Sequence, residues 1–132
     1  MEKTLVIIKP DGIERGLMGE IISRYENKGF KITDCKMIKA DREILEKHYA
    51  EHREKSFYGE LISYMTRGKV LVMIIEGNNV IEIIRKMHGK TNPLDAEMGT
   101  IRGDFANSAT ENVVHASDSK ESAEREISIW FS

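Results

Sequence analysis

Three runs of apolar and β-branched residues predict strands in the first two thirds of the chain. Thr4 to Ile8 is followed by Lys9-Pro10-Asp11-Gly12, a composition typical of a buried strand that enters a turn. Phe30 to Ala40 changes its apolar face near Cys35, which predicts a strand with a bulge. Val70 to Ile75 is apolar throughout, and this indicates a central strand covered on at least one face by helices.

Apolar residues spaced three or four positions apart predict helices between and after these strands. One helix ends near Gly29, a residue suited to a helix C-terminus. Two further helices occupy Asp41 to Lys69 and are separated around Ser56 to Gly59. Residues Gly89 to Glu111 are rich in Gly, Pro, Asn and Asp, and connections of this length are usually functional. The clearest stripes are Met18, Ile21, Ile22 and Tyr25, then Val80, Ile83, Ile84 and Met87, and finally Ala123, Ile127 and Trp130.

The fourth predicted strand is short and runs into His115, where we place the chemistry. Val113 and Val114 lead into this histidine, and a helix pattern opens at Asp118 with a Glu three residues later, the capping-box spacing. An imidazole at a strand end can act as nucleophile, base, ligand or phosphate carrier. Glu126 lies two turns along the helix and could orient the ring if the helix folds back beside its strand. From these residues alone, a capped helix preceded by a surface histidine is an interpretation of at least equal weight.

The order of elements, β-α-β-α-α-β-α-loop-β-α, predicts an α+β fold. A ferredoxin-like sandwich accommodates it best, with a four-stranded antiparallel sheet and helices packed on one face. We expect residues 1–132 to form a single domain, because the chain is too short for two separate cores.

The composition is that of a soluble globular protein, with 40% hydrophobic and 32% charged residues. The formal net charge of -2 predicts no general attraction to polyanions, so a phosphate site requires a local cluster of cations. The single cysteine, Cys35, cannot form an internal disulfide, and we expect it to fill a small space in the core. A reducing, cytoplasmic location follows from this, and no signal peptide or membrane span is predicted.

Three cations stand where predicted elements end or turn. Lys9 ends the first strand, Arg85 flanks a helix, and Arg102 lies in a glycine-rich loop. With Thr91 and Asn112 they would form a cradle for phosphates if the fold brought them to the histidine.

Other kinds of site are disfavoured. Gly89-Lys90-Thr91 lacks the first glycine of a P-loop and follows a helix instead of a strand. His48 and His52 have the spacing of zinc ligands but lack the central Glu of a zinc protease. The acidic balance and 7% aromatic content argue against a nucleic-acid binder.

Four long motifs together resemble the nucleoside diphosphate kinase family, in its order and spacing. They are Lys9-Pro10-Asp11-Gly12, Thr91-Asn92-Pro93, Gly99-Thr100-Ile101-Arg102-Gly103-Asp104-Phe105 and Asn112-Val113-Val114-His115-Ala116-Ser117-Asp118-Ser119. The resemblance covers the whole chain. Three positions depart from the family pattern: Ala116 replaces a glycine, and Ser56 and Met98 replace prolines.

The resemblance implies transfer of the terminal phosphate of a nucleoside triphosphate to a nucleoside diphosphate, through a phosphohistidine and with broad base specificity. His115 would be the nucleophile and Glu126 its orienting partner, with Lys9 and Tyr49 completing the catalytic set. The remaining implied contacts are phosphates for Arg85, Arg102, Thr91 and His52, sugar hydroxyls and phosphates for Lys9 and Asn112, and base stacking for Phe57.

The family also implies Mg²⁺ carried mainly by the nucleotide phosphates, and a homo-oligomer, either hexamer or tetramer. We expect nucleoside di- and triphosphates as ligands, with no dedicated nucleic-acid site and no membrane contact. A nucleotide-binding regulatory or phosphocarrier module on the same fold is the alternative. The presence of both a nucleophile and its orienter, His115 and Glu126, favours the enzyme.

Overall fold

The computed structural model describes residues 1–132 and contains one four-stranded antiparallel sheet. Its strands, in chain order, are β1 (Glu2–Ile8), β2 (Lys31–Lys39), β3 (Lys69–Gly77) and β4 (Val114–Ala116). In space their order is β2-β3-β1-β4, with every neighbouring pair antiparallel. The predicted ferredoxin-like α+β fold is therefore confirmed.

Seven α-helices connect and follow the strands, and none of them is long and apolar enough to cross a membrane. They are α1 (Pro10–Glu14), α2 (Met18–Asn27), α3 (Arg42–His48), α4 (Tyr58–Met65), α5 (Val80–His88), α6 (Ile101–Phe105) and α7 (Lys120–Trp130).

Helices cover both faces of the sheet, so the prediction of a single covered face was wrong. Successive residues of β1 enter different clusters: Val6 and Ile8 pack with α2 and α5 in what we call the first core, whereas Leu5 and Ile7 pack with α3 and α4 in the second core. Helix α7 contributes to both cores. Because both faces are buried, β1 is apolar throughout and its alternation is invisible in the sequence.

Strand β2 forms an edge of the sheet and is largely exposed. Its pairing with β3 shifts between Ile32 and Asp34, which places the predicted bulge slightly before Cys35. The thiol of Cys35 is exposed, so the expectation that it fills the core was wrong. An edge strand needs only one buried face, and the bulge decides which residues occupy it.

The segments that carry Lys9 and Arg102 are more regular than their composition suggested. Lys9 is the N-cap residue of the short helix α1, which begins at Pro10, a favoured residue in the first helical turn. Arg102 lies in α6, a one-turn helix within the long connection. The side chain of Thr100 caps α6 by accepting a hydrogen bond from the backbone N–H of Gly103.

Candidate active site

His115 lies in the middle of β4, where it is paired with Ile7 of β1. The sequence predicted that it would end its strand, but the strand continues to Ala116. Val114 and Ala116 point into the first core, so the imidazole projects to the opposite face. The imidazole is half-buried there and faces a cavity.

Glu126 accepts a hydrogen bond from Nε2 of this imidazole. The Nε2 atom of His115 donates to Oε1 of Glu126 over 2.8 Å, and the hydroxyl of Ser117 donates to the same oxygen, also over 2.8 Å. Because a carboxylate only accepts hydrogen bonds, Nε2 carries the hydrogen and Nδ1 carries the lone pair. The helix that supplies Glu126 begins one residue later than predicted: Ser119, not Asp118, caps α7 by accepting from the backbone N–H of Ser122.

The backbone just before β4 is strained. Val113 has a φ of 76°, and the N–H of Val114 donates to the carbonyl oxygen of Asn112 over 2.8 Å, which is the pattern of a γ-turn. A β-branched residue in this region is a genuine outlier. Such strain persists where surrounding bonds impose it, and functional sites are where it concentrates.

The side chain of Arg102 hydrogen-bonds to this strained segment. Its guanidinium donates to the carbonyl oxygens on both sides of Val113, those of Asn112 at 3.3 Å and Val114 at 2.6 Å, and to that of Gly89 at 2.8 Å. Each terminal nitrogen keeps a second N–H available for a ligand. Burial, with a smaller contribution from Arg85, lowers the pKa of Arg102 to about 10.

Lys9 is buried on the other side of the same turn. Its backbone N–H donates to the carbonyl oxygen of Val113 over 2.8 Å, and its Nζ donates to Oδ1 of Asn112 over 2.7 Å. The amide nitrogen of Asn112 in turn donates to the carbonyl oxygens of Thr91 and Ala109, both at 3.1 Å. Burial and the neighbouring Arg102 charge lower the pKa of Lys9 to about 7, although Asp11 partly opposes this effect.

A cavity of about 500 Å³ opens in front of His115. Nine of the ten expected site residues line this cavity, and the tenth, Glu126, lies behind His115. The nine are Lys9, Tyr49, His52, Phe57, Arg85, Thr91, Arg102, Asn112 and His115. Three of them are cations, and Asp118 is the single carboxylate in the lining. The cavity therefore has a net positive lining and suits an anion carrying several charges.

Aromatic side chains form one side of the cavity. The ring centroids of His52 and Phe57 are 5.6 Å apart, and the Phe57 ring is 44% exposed at the rim. The Tyr49 hydroxyl and Nδ1 of His52 are buried without hydrogen-bond partners. Burial, and to a lesser extent Glu126, raises the pKa of Tyr49, so its hydroxyl stays protonated and can donate to a ligand.

Three residues around the histidine were given no part in the predicted site. Ser117 shares Glu126 with His115, and its position two residues after His115, just past the end of β4, was the available signal. His48 packs edge-to-face against the His115 ring, and Trp130 packs against His48 and donates a hydrogen bond to it. They are separated by 82 positions, so no sequence pattern linked them.

Comparison with known proteins gives one consistent result. The sequence model of the family described as nucleoside diphosphate kinase matches residues 2–132. A nucleoside diphosphate kinase of Methanocaldococcus jannaschii is 59% identical over 130 residues, covering 98% of this chain and 93% of that protein.

Solved structures agree with this result. The nucleoside diphosphate kinase of Encephalitozoon cuniculi superposes with a TM-score of 0.98 at 43% identity, covering 99% of this chain and 89% of that one. The Halobacterium salinarum enzyme, solved in complex with CDP, superposes with a TM-score of 0.96 at 42% identity. The match covers 98% of this chain and 87% of that one.

Proposed function

The chain belongs to the nucleoside diphosphate kinase family of phosphotransferases, and on that premise we propose that it transfers phosphate through a phosphohistidine at His115. The observation that carries the proposal is the 2.8 Å bond from Nε2 of His115 to Glu126 at the base of a cation-lined cavity. This bond leaves Nδ1 as the nucleophilic nitrogen. A nucleophile oriented by a second group is the usual arrangement of covalent catalysis.

In the first half-reaction, the lone pair of Nδ1 attacks the terminal phosphorus of a nucleoside triphosphate. A P–N bond forms as the bond from phosphorus to the bridging oxygen breaks, and the nucleoside diphosphate leaves with the bonding electrons. In the second half-reaction, a terminal oxygen of an incoming diphosphate attacks the same phosphorus and the P–N bond breaks. Glu126 keeps the proton on Nε2 and offsets the positive charge that the ring acquires.

Lys9, Arg85 and Arg102 would hold the phosphates during both halves. Their charges in a half-enclosed cavity stabilise negative charge on the transferred group better than water does. The unpaired Tyr49 hydroxyl would donate to a phosphate or sugar oxygen, and Asn112 and Thr91 would contribute polar contacts nearby. One set of groups would thus serve donor and acceptor in turn.

Magnesium fits this site as an ion bound mainly by the nucleotide phosphates. The cavity lining offers one carboxylate, Asp118, whereas Mg²⁺ usually retains several waters and binds through one or two carboxylates plus substrate phosphates. When bound, the ion neutralises phosphate charge. The protein's own cations do the remaining work of positioning.

Broad base specificity follows from recognition by stacking. Phe57 stands at the rim with nearly half of its surface exposed, and every base has a face that can stack on an aromatic ring. The relative from Halobacterium salinarum was solved with CDP, a pyrimidine nucleotide. We therefore propose that purine and pyrimidine nucleotides are both substrates.

We further propose a homo-oligomer, hexamer or tetramer, in the cytoplasm. Strand β2 has an unpaired edge, and Leu94 and Met98 are 89% and 84% exposed. Open strand edges and exposed large apolar side chains commonly mark contacts between subunits. The exposed thiol of Cys35 is compatible with a reducing compartment.

The decisive experiment uses a triphosphate labelled on its terminal phosphate, with no acceptor present. The protein should become covalently labelled, the label should survive base and be lost in acid, and any nucleoside diphosphate should remove it. His115→Ala, which changes a partly exposed residue of a short strand, should fold and stay unlabelled. Nucleotide binding by the wild-type protein without any labelling would instead favour the regulatory module.

A further inference from the structure

His48, the last residue of α3, is a buried imidazole among apolar residues of the second core, with 5% of its surface exposed. The proposed reaction gives it no chemical step. Its Nδ1 accepts a hydrogen bond of 3.1 Å from the indole N–H of Trp130, which is itself 1% exposed. A buried polar side chain among apolar neighbours calls for a physical reason.

The bond to Trp130 fixes the chemical state of the His48 ring. An indole N–H can only donate, so Nδ1 of His48 must present its lone pair and the ring's hydrogen must lie on Nε2. Protonation of Nδ1 would set two hydrogens against each other. Burial, with smaller contributions from His115 and Arg125, also lowers the pKa of His48 well below its usual range. The ring is therefore neutral and present as one tautomer.

This fixed ring packs directly against the nucleophile. The centroids of His48 and His115 are 4.6 Å apart with an interplanar angle of 72°, an edge-to-face contact. One nitrogen of each ring and one oxygen of Glu126 lie within 4.8 Å of one another. The Nε2 atom of His115 is held by Glu126, but one hydrogen bond leaves the ring free to tilt about that bond. Packing against His48 limits that tilt.

Both restraints originate from one helix. Glu126 and Trp130 are four residues apart on α7 and so lie on the same side of it. The first contacts His115 directly, and the second contacts it through His48.

We propose that His48, held by Trp130, is a positioning residue that keeps the His115 ring in the orientation needed for attack by Nδ1. This inference rests on the proposed phosphohistidine function. His48 transfers no proton and touches no phosphate. Its removal should therefore lower the rate of phosphorylation and leave nucleotide binding unchanged, because the cavity lining does not include His48.

The test compares three variants by rapid-quench phosphorylation at saturating triphosphate. Trp130→Phe removes the donor, His48→Ala removes the ring, and Leu45→Ala is the matched control, since Leu45 is a fully buried member of the second core outside the cavity lining. The first two should phosphorylate about tenfold more slowly than wild type, a typical loss when a supporting residue is removed. The dissociation constant of a non-hydrolysable triphosphate should not change. The control should be less stable but should phosphorylate at the normal rate.

Nitrogen-15 NMR of the histidine rings gives a readout that is independent of turnover. Wild-type His48 should show the Nε2–H tautomer, and Trp130→Phe should make His48 exchange between tautomers, whereas His115, still held by Glu126, should keep its hydrogen on Nε2. Variants that react like Leu45→Ala, or a wild-type His48 with its hydrogen on Nδ1, would overturn the inference. If His48→Ala does not fold, Trp130→Phe decides. A wild-type protein that takes no label overturns the proposed function itself, whereas normal wild-type labelling with control-like variants overturns only the role of His48.

Discussion

The Nζ atom of Lys9 donates a 2.7 Å hydrogen bond to Oδ1 of Asn112, so its one hydrogen-bond partner in the cavity is a neutral amide. A buried amine beside an amide and near the Arg102 guanidinium loses much of its tendency to hold a proton, and its pKa falls to about 7. Bound phosphates would reverse this effect.

Nucleotide binding should therefore take up a proton. Near pH 8, above the pKa of about 7, Lys9 is mostly neutral, and a bound polyanion favours its charged form. Calorimetry in buffers of different ionisation enthalpy should detect uptake approaching one proton per site near pH 8 and little near pH 6, where Lys9 is already protonated. Lys9→Met should abolish the uptake. Equal uptake by Lys9→Met would assign the proton to another group.

Glu126→Gln should slow phosphorylation by about ten- to a hundredfold while the protein stays folded. A glutamine oxygen can still accept from His115 and Ser117, so the change removes the charge and keeps the geometry. Rapid-quench kinetics measures the rate, and circular dichroism checks the fold. An unchanged rate would reduce Glu126 to a structural helix residue.

Arg102→Lys and Arg85→Lys should distinguish a residue that stabilises the protein backbone from one that only binds nucleotide. Arg102 holds the two carbonyls that flank Val113, and a lysine cannot reach three carbonyl oxygens at once. We expect Arg102→Lys to lower the free energy of unfolding by about 1 to 3 kcal/mol. The same change should weaken the binding of all nucleotides to a similar extent. The side chain of Arg85 makes no hydrogen bond within the protein, so Arg85→Lys should weaken nucleotide binding with little change in Tm. Equal Tm losses in the two variants would contradict this division.

Phe57→Ala should raise the KM of purine and pyrimidine nucleotides together. Loss of stacking on one base typically removes about 1 to 3 kcal/mol, and Phe57→Tyr should retain most of the affinity. Steady-state kinetics with four acceptor diphosphates provides the measurement. A strong effect on a single base would point to hydrogen-bonded recognition, which the exposed ring of Phe57 does not provide.

The sequence predicted β1 and β3 because strands buried on two faces leave short, uniformly apolar runs. It missed the second layer of helices for the same reason, since Leu5 and Val6 face opposite cores but look alike in the sequence. The exposure of Cys35 escaped prediction because a bulge in an edge strand sets its face.

The candidate site was easier to predict where motifs were long. The position of His115 was off by one residue along its strand, yet its neighbours came from the expected segments. His48 could not be found in this way. Its contact with Trp130 depends on how α3 and α7 pack together, and tertiary packing leaves no local period in the sequence.

Kinetic order provides the last prediction. If His115 carries the phosphate, the first diphosphate must leave before the second enters, because one set of cations, Lys9, Arg85 and Arg102, lines one cavity. Two similar in-line displacements then suit substrates that differ only in base or sugar. Double-reciprocal plots of rate against donor concentration, at several fixed acceptor concentrations, should be parallel. Lines that intersect, with no phosphoenzyme isolated, would mean direct transfer in a ternary complex, which would require room for two nucleotides in a cavity of about 500 Å³.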